Sequence, residues 1–308
     1  MPMPADASSP HLSWNAVSDV RALLEYHFMV NALLAGALVA IMAGAAGWMM
    51  VLRRETFAGH TLAMMAFPGA AAAALIGIPA AWGYFAFCGL GALAIGRLFG
   101  RGPGAWSEQS AGIGAVQAAA LAAGFLFVSL YGGVLGDLES QLFGTFLGIS
   151  DGHVLALAAL AAAVLLVLAA LGRPLLFASV DGEVAGARGV PVAALSGAFL
   201  LLLGLTVAAT SQITGVLLVL ALLVGPAASA QAITARPGAS LALTLVFGLF
   251  VAWLGLALSY FSVYPAGFFI ATVAFVVYLL ARLLGALAPH RRAPAAGTAE
   301  PAAEGVIA

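Results

Sequence analysis

Few residues in this chain can do chemistry, and they fall into three groups. Asp137, Glu139 and Asp151 bring carboxylates into one stretch, with His153 beside the last. Carboxylates around a mouth raise the local concentration of divalent cations, so this group suits an entrance; solvated loop charges, or contacts for an outside protein, are the alternative. A second acidic pair, Asp181 and Glu183, flanks Gly182 and is followed by Arg188. Such a segment can form a short helix that lies in a partner's groove, or it can be a solvated turn without a partner. The third group is polar residues isolated in apolar runs: Asn31, His60, Gln117, Thr206, Gln212 and Gln231. An imidazole in such a setting is costly and usually has a task.

The missing chemistry is equally informative. The chain has no paired nucleophile and base, so an enzyme is the last of the function classes to consider. It contains no G-x-x-x-x-G-K-[ST] segment and no lysine at all, so it cannot hydrolyse ATP by itself. Its single cysteine, Cys88, lies inside an apolar run, which leaves neither a disulfide nor a cysteine metal site.

The elements that must position these residues are membrane helices. The 308 residues are 64% hydrophobic and 7% charged, with a mean hydropathy of +1.11. No water-soluble domain of this size covers its surface with so few charges. Runs of about 20 apolar residues match the hydrocarbon thickness, and a membrane β-barrel would show short alternating segments instead. The expected fold is an all-α polytopic bundle of nine spans, at approximately 28–51, 61–80, 82–99, 112–131, 153–172, 191–210, 214–235, 240–261 and 266–285. Threading them back and forth places Arg53, Arg54, Arg97, Arg101, Arg173, Arg188, Arg236, Arg282, Arg291 and Arg292 on one face, and only Arg21 on the other. Basic loops resist translocation, so the arginine face is expected to be cytoplasmic, with the N-terminus outside and the C-terminus inside.

Three parts follow. Residues 1–26 form a polar extracytoplasmic tail, 27–288 the transmembrane domain, and 289–308 a disordered cytoplasmic tail rich in Ala, Pro and Gly. The run from His27 is too long for a signal-peptide core and is followed by Arg53-Arg54, so it is expected to stay as the first span. Loops at Gly100 to Ala111 and Gly172 to Val190 face inside, and Gly132 to Gly152 faces outside. The last of these holds Asp137, Glu139 and Asp151; His11, His27 and His290 are expected to be bystanders. A net charge of -1 argues against a nucleic-acid partner. No carboxylate sits clearly at mid-membrane, which shifts weight from an ion-coupled carrier toward an energy source outside the bilayer.

Three segments carry a resemblance. Leu52 to Gly69 reads LRRETFAGHTLAMMAFPG, Phe177 to Pro191 reads FASVDGEVAGARGVP, and Gly215-Val216-Leu217-Leu218-Val219 leads to Leu223-Val224-Gly225-Pro226-Ala227-Ala228-Ser229-Ala230. Ser140-Gln141-Leu142-Phe143-Gly144 is a weaker echo. In order and spacing the set resembles the permease subunits of ABC transporters that import zinc, manganese or iron, over about residues 28 to 285. The resemblance implies a homodimeric pathway in the bacterial inner membrane, two separate cytoplasmic ABC ATPases and an extracytoplasmic metal-binding protein. It gives Asp181, Glu183 and Arg188 the role of contacting the ATPase, and makes Pro68, Gly69 and Pro226 helix-break and packing positions. ATP is then used only by the partner, and no cofactor is held permanently.

One departure from the family pattern concerns the ion. Where similar permeases carry an Asp and, four residues on, a His that line the metal path, this chain has His60 and Met64. A spacing of four keeps both on one helical face. Imidazole suits zinc, copper, iron and nickel, whereas thioether favours Cu(I). Zinc is the first expectation, manganese and iron come next, and a softer ion stays open. Met64 can instead be gap-filling core, and His60 a helix-start histidine bonded to a backbone carbonyl or to Glu55. The rival class is an ion-coupled secondary transporter or channel for a metal cation without an ATPase.

Overall fold

A computed structural model describes residues 16–98, 106–131, 149–216, 218–262 and 264–287. Asp137 and Glu139, the Ser140 to Gly144 segment, Arg101, His11, His290, Arg291 and Arg292 lie outside these residues. The described residues form helices and no strands: α1 (Ala16–Glu25), α2 (His27–Leu52), α3 (Thr56–Ile76), α4 (Ala80–Leu98), α5 (Trp106–Leu130), α6 (Asp151–Val180), α7 (Gly182–Ala187), α8 (Val192–Thr214), α9 (Val219–Ile233), α10 (Pro237–Tyr260) and α11 (Ala266–Leu287). Each of the nine expected segments coincides with one of them. Seven, α2, α3, α5, α6, α8, α10 and α11, are long and apolar enough to cross a membrane.

The expected nine spans therefore need refinement. At 15 residues, α9 rises only about 22 Å, short of a hydrocarbon layer of about 30 Å. The apolar run at 214–235 is interrupted because the chain leaves α8 at Gly215 and resumes a helix only at Val219. Gly215 and Val216 in this break are buried, which is the condition for non-helical backbone at membrane depth. In the opposite direction, α6 has 30 residues and reaches about 45 Å. It runs through Arg173 and Pro174 to Val180, where the sequence suggested a loop from Gly172. The N-terminal tail also contains a helix. Along α1, Val20, Leu23 and Leu24 share a side, and Leu23 is buried, the pattern of a helix lying along an interface.

Two groups of helices share a centre. One packs α3, α4, α5 and α8 together; the other packs α2, α9, α10 and α11. Contacts of α2 with α6, α6 with α8, and α3 with α8 join them. The most apolar windows of α2, α3 and α8 are each 61% buried, which makes these three the centre, and α5 and α6 lie at the rim.

Small residues set the closest crossings, since lipid gives helices little hydrophobic reason to associate. A Cβ on Gly69 would collide with the Gly83 carbonyl oxygen, and one on Gly83 with that of Gly69. The backbones of α3 and α4 therefore touch where Pro68-Gly69 stands. Polar side chains are satisfied locally: Thr206, Thr210 and Thr214 along α8 donate to Leu202 O, Thr206 O and Thr210 O. Longer ties join the helices, with Trp48 Nε1 donating to Ser240 Oγ at 3.0 Å, Gln231 Nε2 to Trp48 O at 3.1 Å, and Trp253 Nε1 to Leu33 O at 3.1 Å.

These ties also order the ends of the bundle. His27 meets Asp151 at one end, and Arg53 meets Ser179 and Ser196 at the other. Arg54, Arg97, Arg173, Arg188, Arg236 and Arg282 follow from helix direction to the Arg53 end, and Arg21 to the opposite one.

Gly69→Val should lower the thermal stability of the detergent-solubilised protein by about 1–3 kcal/mol or more, because the added side chain meets backbone that cannot yield. Gly89→Ala, where a Cβ has nothing within 4 Å, should leave it unchanged or higher. Equal melting temperatures for the two variants would remove the α3–α4 contact from the account of stability.

Candidate functional site

The centre of interest is one face of α3. Ala58, Gly59, Thr61, Leu62, Ala63, Met65 and Ala66 are buried against neighbouring helices. His60, Met64 and Phe67 are half-buried, and Phe57 is 43% exposed. The positions 57, 60, 64 and 67 follow the i, i+3, i+7 and i+10 pattern of a single helical stripe. His60 and Met64 therefore share the open face, with Cβ atoms about 5–6 Å apart. The neighbouring methionine behaves differently: Met65 is 4% exposed and sits against Gly91 of α4. Core filling is the task of Met65, which leaves Met64 on the side where a ligand can approach.

Partners separate His60 from the other intramembrane polar residues. Asn31 donates to Ile149 O at 3.0 Å and to Asp151 Oδ1 at 2.7 Å. Gln117 accepts from Thr61 Oγ1 at 3.1 Å, joining α5 to α3. Thr206, Gln212 and Gln231 donate to the carbonyls of Leu202, Ala208 and Trp48. His60 makes no such bond to a described residue. Oε1 of Glu55 is taken by Arg53 Nη2 at 2.9 Å. An imidazole with free nitrogens on a half-open helix face can accept an ion. Among the described residues no three His, Cys, Asp or Glu side chains gather as a metal site, and the open face of α3 offers one imidazole and one thioether.

At the opposite end from Arg53, Asp151 and His153 point to different tasks. Asp151 Oδ1 lies 2.8 Å from His27 Nε2 and accepts from Asn31, so it latches the start of α6 to the start of α2. His27, expected to be a bystander, is part of this latch; the 124 residues between the partners hid it. Ser150 caps α6 by accepting from the His153 backbone N–H at 3.4 Å, and its Oγ lies 3.0 Å from His153 Nδ1. His153 then lines a cavity of about 250 Å³ together with Gln212, Phe85 and apolar residues of α6 and α8. Asp137 and Glu139 lie outside the described residues, so the four expected members of the outer group are not placed together.

At the arginine end, α7 is a single exposed turn and a half. Asp181 Oδ1 caps it by accepting from Val184 N at 2.9 Å. Gly189, at φ +81°, closes it: Gly189 N donates to Gly186 O at 2.9 Å and Val190 N to Ala185 O at 3.0 Å. This paired closure needs a left-handed residue, which glycine supplies without strain. Asp181, Glu183 and Arg188 are all exposed, and only Ala185 is buried. Glu183 and Arg188 thus stand exposed on a short helix that Asp181 caps.

A profile of the ABC 3 transport family matches residues 25–285. The chain belongs to the ABC 3 transport family. Among its relatives in that family is the "Manganese transport system membrane protein MntC" of Halalkalibacterium halodurans, 31% identical over 84% of this chain and 88% of that one. The "Manganese import system permease protein ScaB" of Streptococcus parasanguinis is 28% identical over 89% of this chain and 95% of that one. Among solved structures, PsaBC from Streptococcus pneumoniae in complex with Fab aligns with a TM-score of 0.75 and 28% identity, covering 86% of this chain and 94% of that chain. The family match runs from before α2 to two residues short of the end of α11 and agrees with the resemblance carried by the three motif segments. An ABC 3 family member is a multi-pass membrane transport subunit, which fits the helices described above.

The open stripe of α3 has a direct test. In a Cys88→Ser background, His60→Cys and Met64→Cys should react with a small thiol reagent, and Leu62→Cys and Met65→Cys should stay protected. Equal labelling of all four would show that α3 has no distinct open face.

Proposed function

We propose that this chain is the membrane permease of an ATP-driven importer of a divalent transition metal. The family match across 25–285 carries this reading. Two copies form the pathway in the bacterial inner membrane, and separate ABC ATPases bind at the arginine end, which is cytoplasmic. A metal-binding protein delivers the ion at the other end. The exposed α7 helix, with Asp181, Glu183 and Arg188, docks on the ATPase; a capped helix transmits domain closure as a rigid push. His60 and Met64 line the path, and a facing copy doubles them to two imidazoles and two thioethers.

The relatives are named for manganese, whereas the side chains favour a softer ion. Manganese prefers carboxylate, carbonyl and water oxygens; imidazole suits zinc. An unpartnered imidazole paired with a thioether therefore supports zinc over manganese in this member. Neither ligand is a hard anion, and a zinc ion passing such a site keeps bound water.

Uptake by cells or proteoliposomes, with zinc, manganese and reduced copper each supplied alone, tests the assignment. His60→Ala should cut zinc uptake by about 10–100-fold, the scale on which groups supporting a metal matter. Met64→Leu should cost little with zinc and as much as His60→Ala with reduced copper. Met64→His should raise zinc uptake relative to copper. Undiminished uptake of all three metals by His60→Ala would make the histidine structural.

The motor contact has its own test. Asp181→Asn with Glu183→Arg should reduce ATP-dependent uptake by about tenfold or more, equivalent to about 1.4 kcal/mol of lost coupling, with expression unchanged. Unchanged uptake would take α7 out of the mechanism and favour a carrier that needs no ATPase.

A further inference from the structure

We propose that Arg53 is a positioning residue that ties both legs of the α7 protrusion to the helix carrying His60, so that movement of α7 reaches α3 through one guanidinium. This rests on the transport reading above. Arg53 closes α2, and its side chain turns inward with only 7% exposure. Nη2 donates to Glu55 Oε1 at 2.9 Å and to Ser196 Oγ at 2.6 Å, and Nη1 lies 3.4 Å from Ser179 Oγ. Its Cζ sits 5.3 Å from the centre of the Phe199 ring.

The partners identify what is being held. Ser179 is in the last turn of α6, directly before Asp181 and α7, and its own hydroxyl donates to Leu175 O. Ser196 and Phe199 belong to the first two turns of α8, which follows α7. Glu55 is the N-cap of α3, and its carbonyl accepts from Gly59 N at 3.0 Å. His60 stands five residues further on, about 7.5 Å along the helix. One planar fork therefore joins the element before α7, the element after it, and the start of the helix that presents His60 and Met64.

An apolar side chain would hold a tight turn equally well without placing a charge among packed helices. The planar fork adds several donors in fixed directions, which a lysine ammonium lacks. The next residue, Arg54, takes φ 58°, a left-handed conformation that a non-glycine residue adopts at a cost. The turn thus directs Arg53 inward and leaves Arg54 exposed.

The cleanest test removes the two tethers and keeps the ion pair. Ser179→Ala with Ser196→Ala, and separately Arg53→Lys, would be reconstituted as the full transporter in proteoliposomes. Uptake of zinc and of manganese, each supplied alone, and ATP hydrolysis would be measured on the same vesicles. Spin labels at Val184→Cys and Ile76→Cys in a Cys88→Ser background would report whether α7 and α3 move together on adding ATP. For both variants the metal moved per ATP hydrolysed should fall by about tenfold, hydrolysis should persist, and the label distance, constant in the unmutated transporter on adding ATP, should change. A purely structural role would lower hydrolysis and uptake in parallel; that outcome, or an unchanged ratio with a label distance that stays constant on adding ATP, overturns the proposal. If the unmutated transporter shows no ATP-dependent uptake of either metal, the transport reading fails first and this proposal goes with it.

Discussion

Hydrocarbon solvates neither ions nor unbonded peptide groups, and the rest of this structure follows from that constraint. It forces the backbone into helices and leaves van der Waals contact as the main attraction between them. Gly69 and Gly83 answer the second demand by letting two backbones touch. The hydroxyls of α8 answer the first by bonding back to their own helix. Buried polar side chains then serve as ties between helices: Trp48 with Ser240, Gln117 with Thr61, Asn31 with Asp151. Against that background the half-buried His60 imidazole, with no hydrogen bond to a described residue, stands out from Asn31, Gln117 and Gln231, which are all bonded.

The constraint also explains what the sequence could reveal. Apolar runs near bilayer length are visible residue by residue, so the order of the helices was legible, and so was the gathering of arginines at one end. The interruption between α8 and α9 was not, because Gly215 to Leu218 is as apolar as the helices around it and hydropathy cannot distinguish a buried break from a span. The α1 helix lies in a segment whose polar residues read as a tail; only its one-sided apolar pattern marks it. The spacing of His60 and Met64 placed them on one face, but the open side of α3 and the core role of Met65 depend on which helices pack there.

Long-range ties were the least legible. Arg53 meets Ser179 and Ser196 across 126 and 143 residues, and nothing local to Arg53-Arg54 separates the inward residue from the outward one. The positive-inside pattern treats both as loop charges. Here it groups Arg53 with the other arginines at one end of the bundle and misses its burial. A similar distance separates His27 from Asp151, and charge clustering along the chain set Asp151 beside Asp137 and Glu139 instead. Sequence neighbours were grouped as a site; space pairs one of them with a histidine on another helix.

A transport path differs from a storage site in what it asks of its ligands. Conduction needs binding favourable enough to admit an ion and weak enough to release it. Under the proposed function, His60 and Met64 meet that demand without a carboxylate: neutral donors attract a dication less than an anionic pair would. The stripe is also only half-buried, so water can complete the coordination shell. Tight capture is then the work of a delivering protein, and directionality the work of the motor. What remains for the permease is to change the spacing across the path when α7 moves. That makes the start of α3, held by Glu55 and Arg53 just below His60, the place where a mechanical input has the shortest route to the ion.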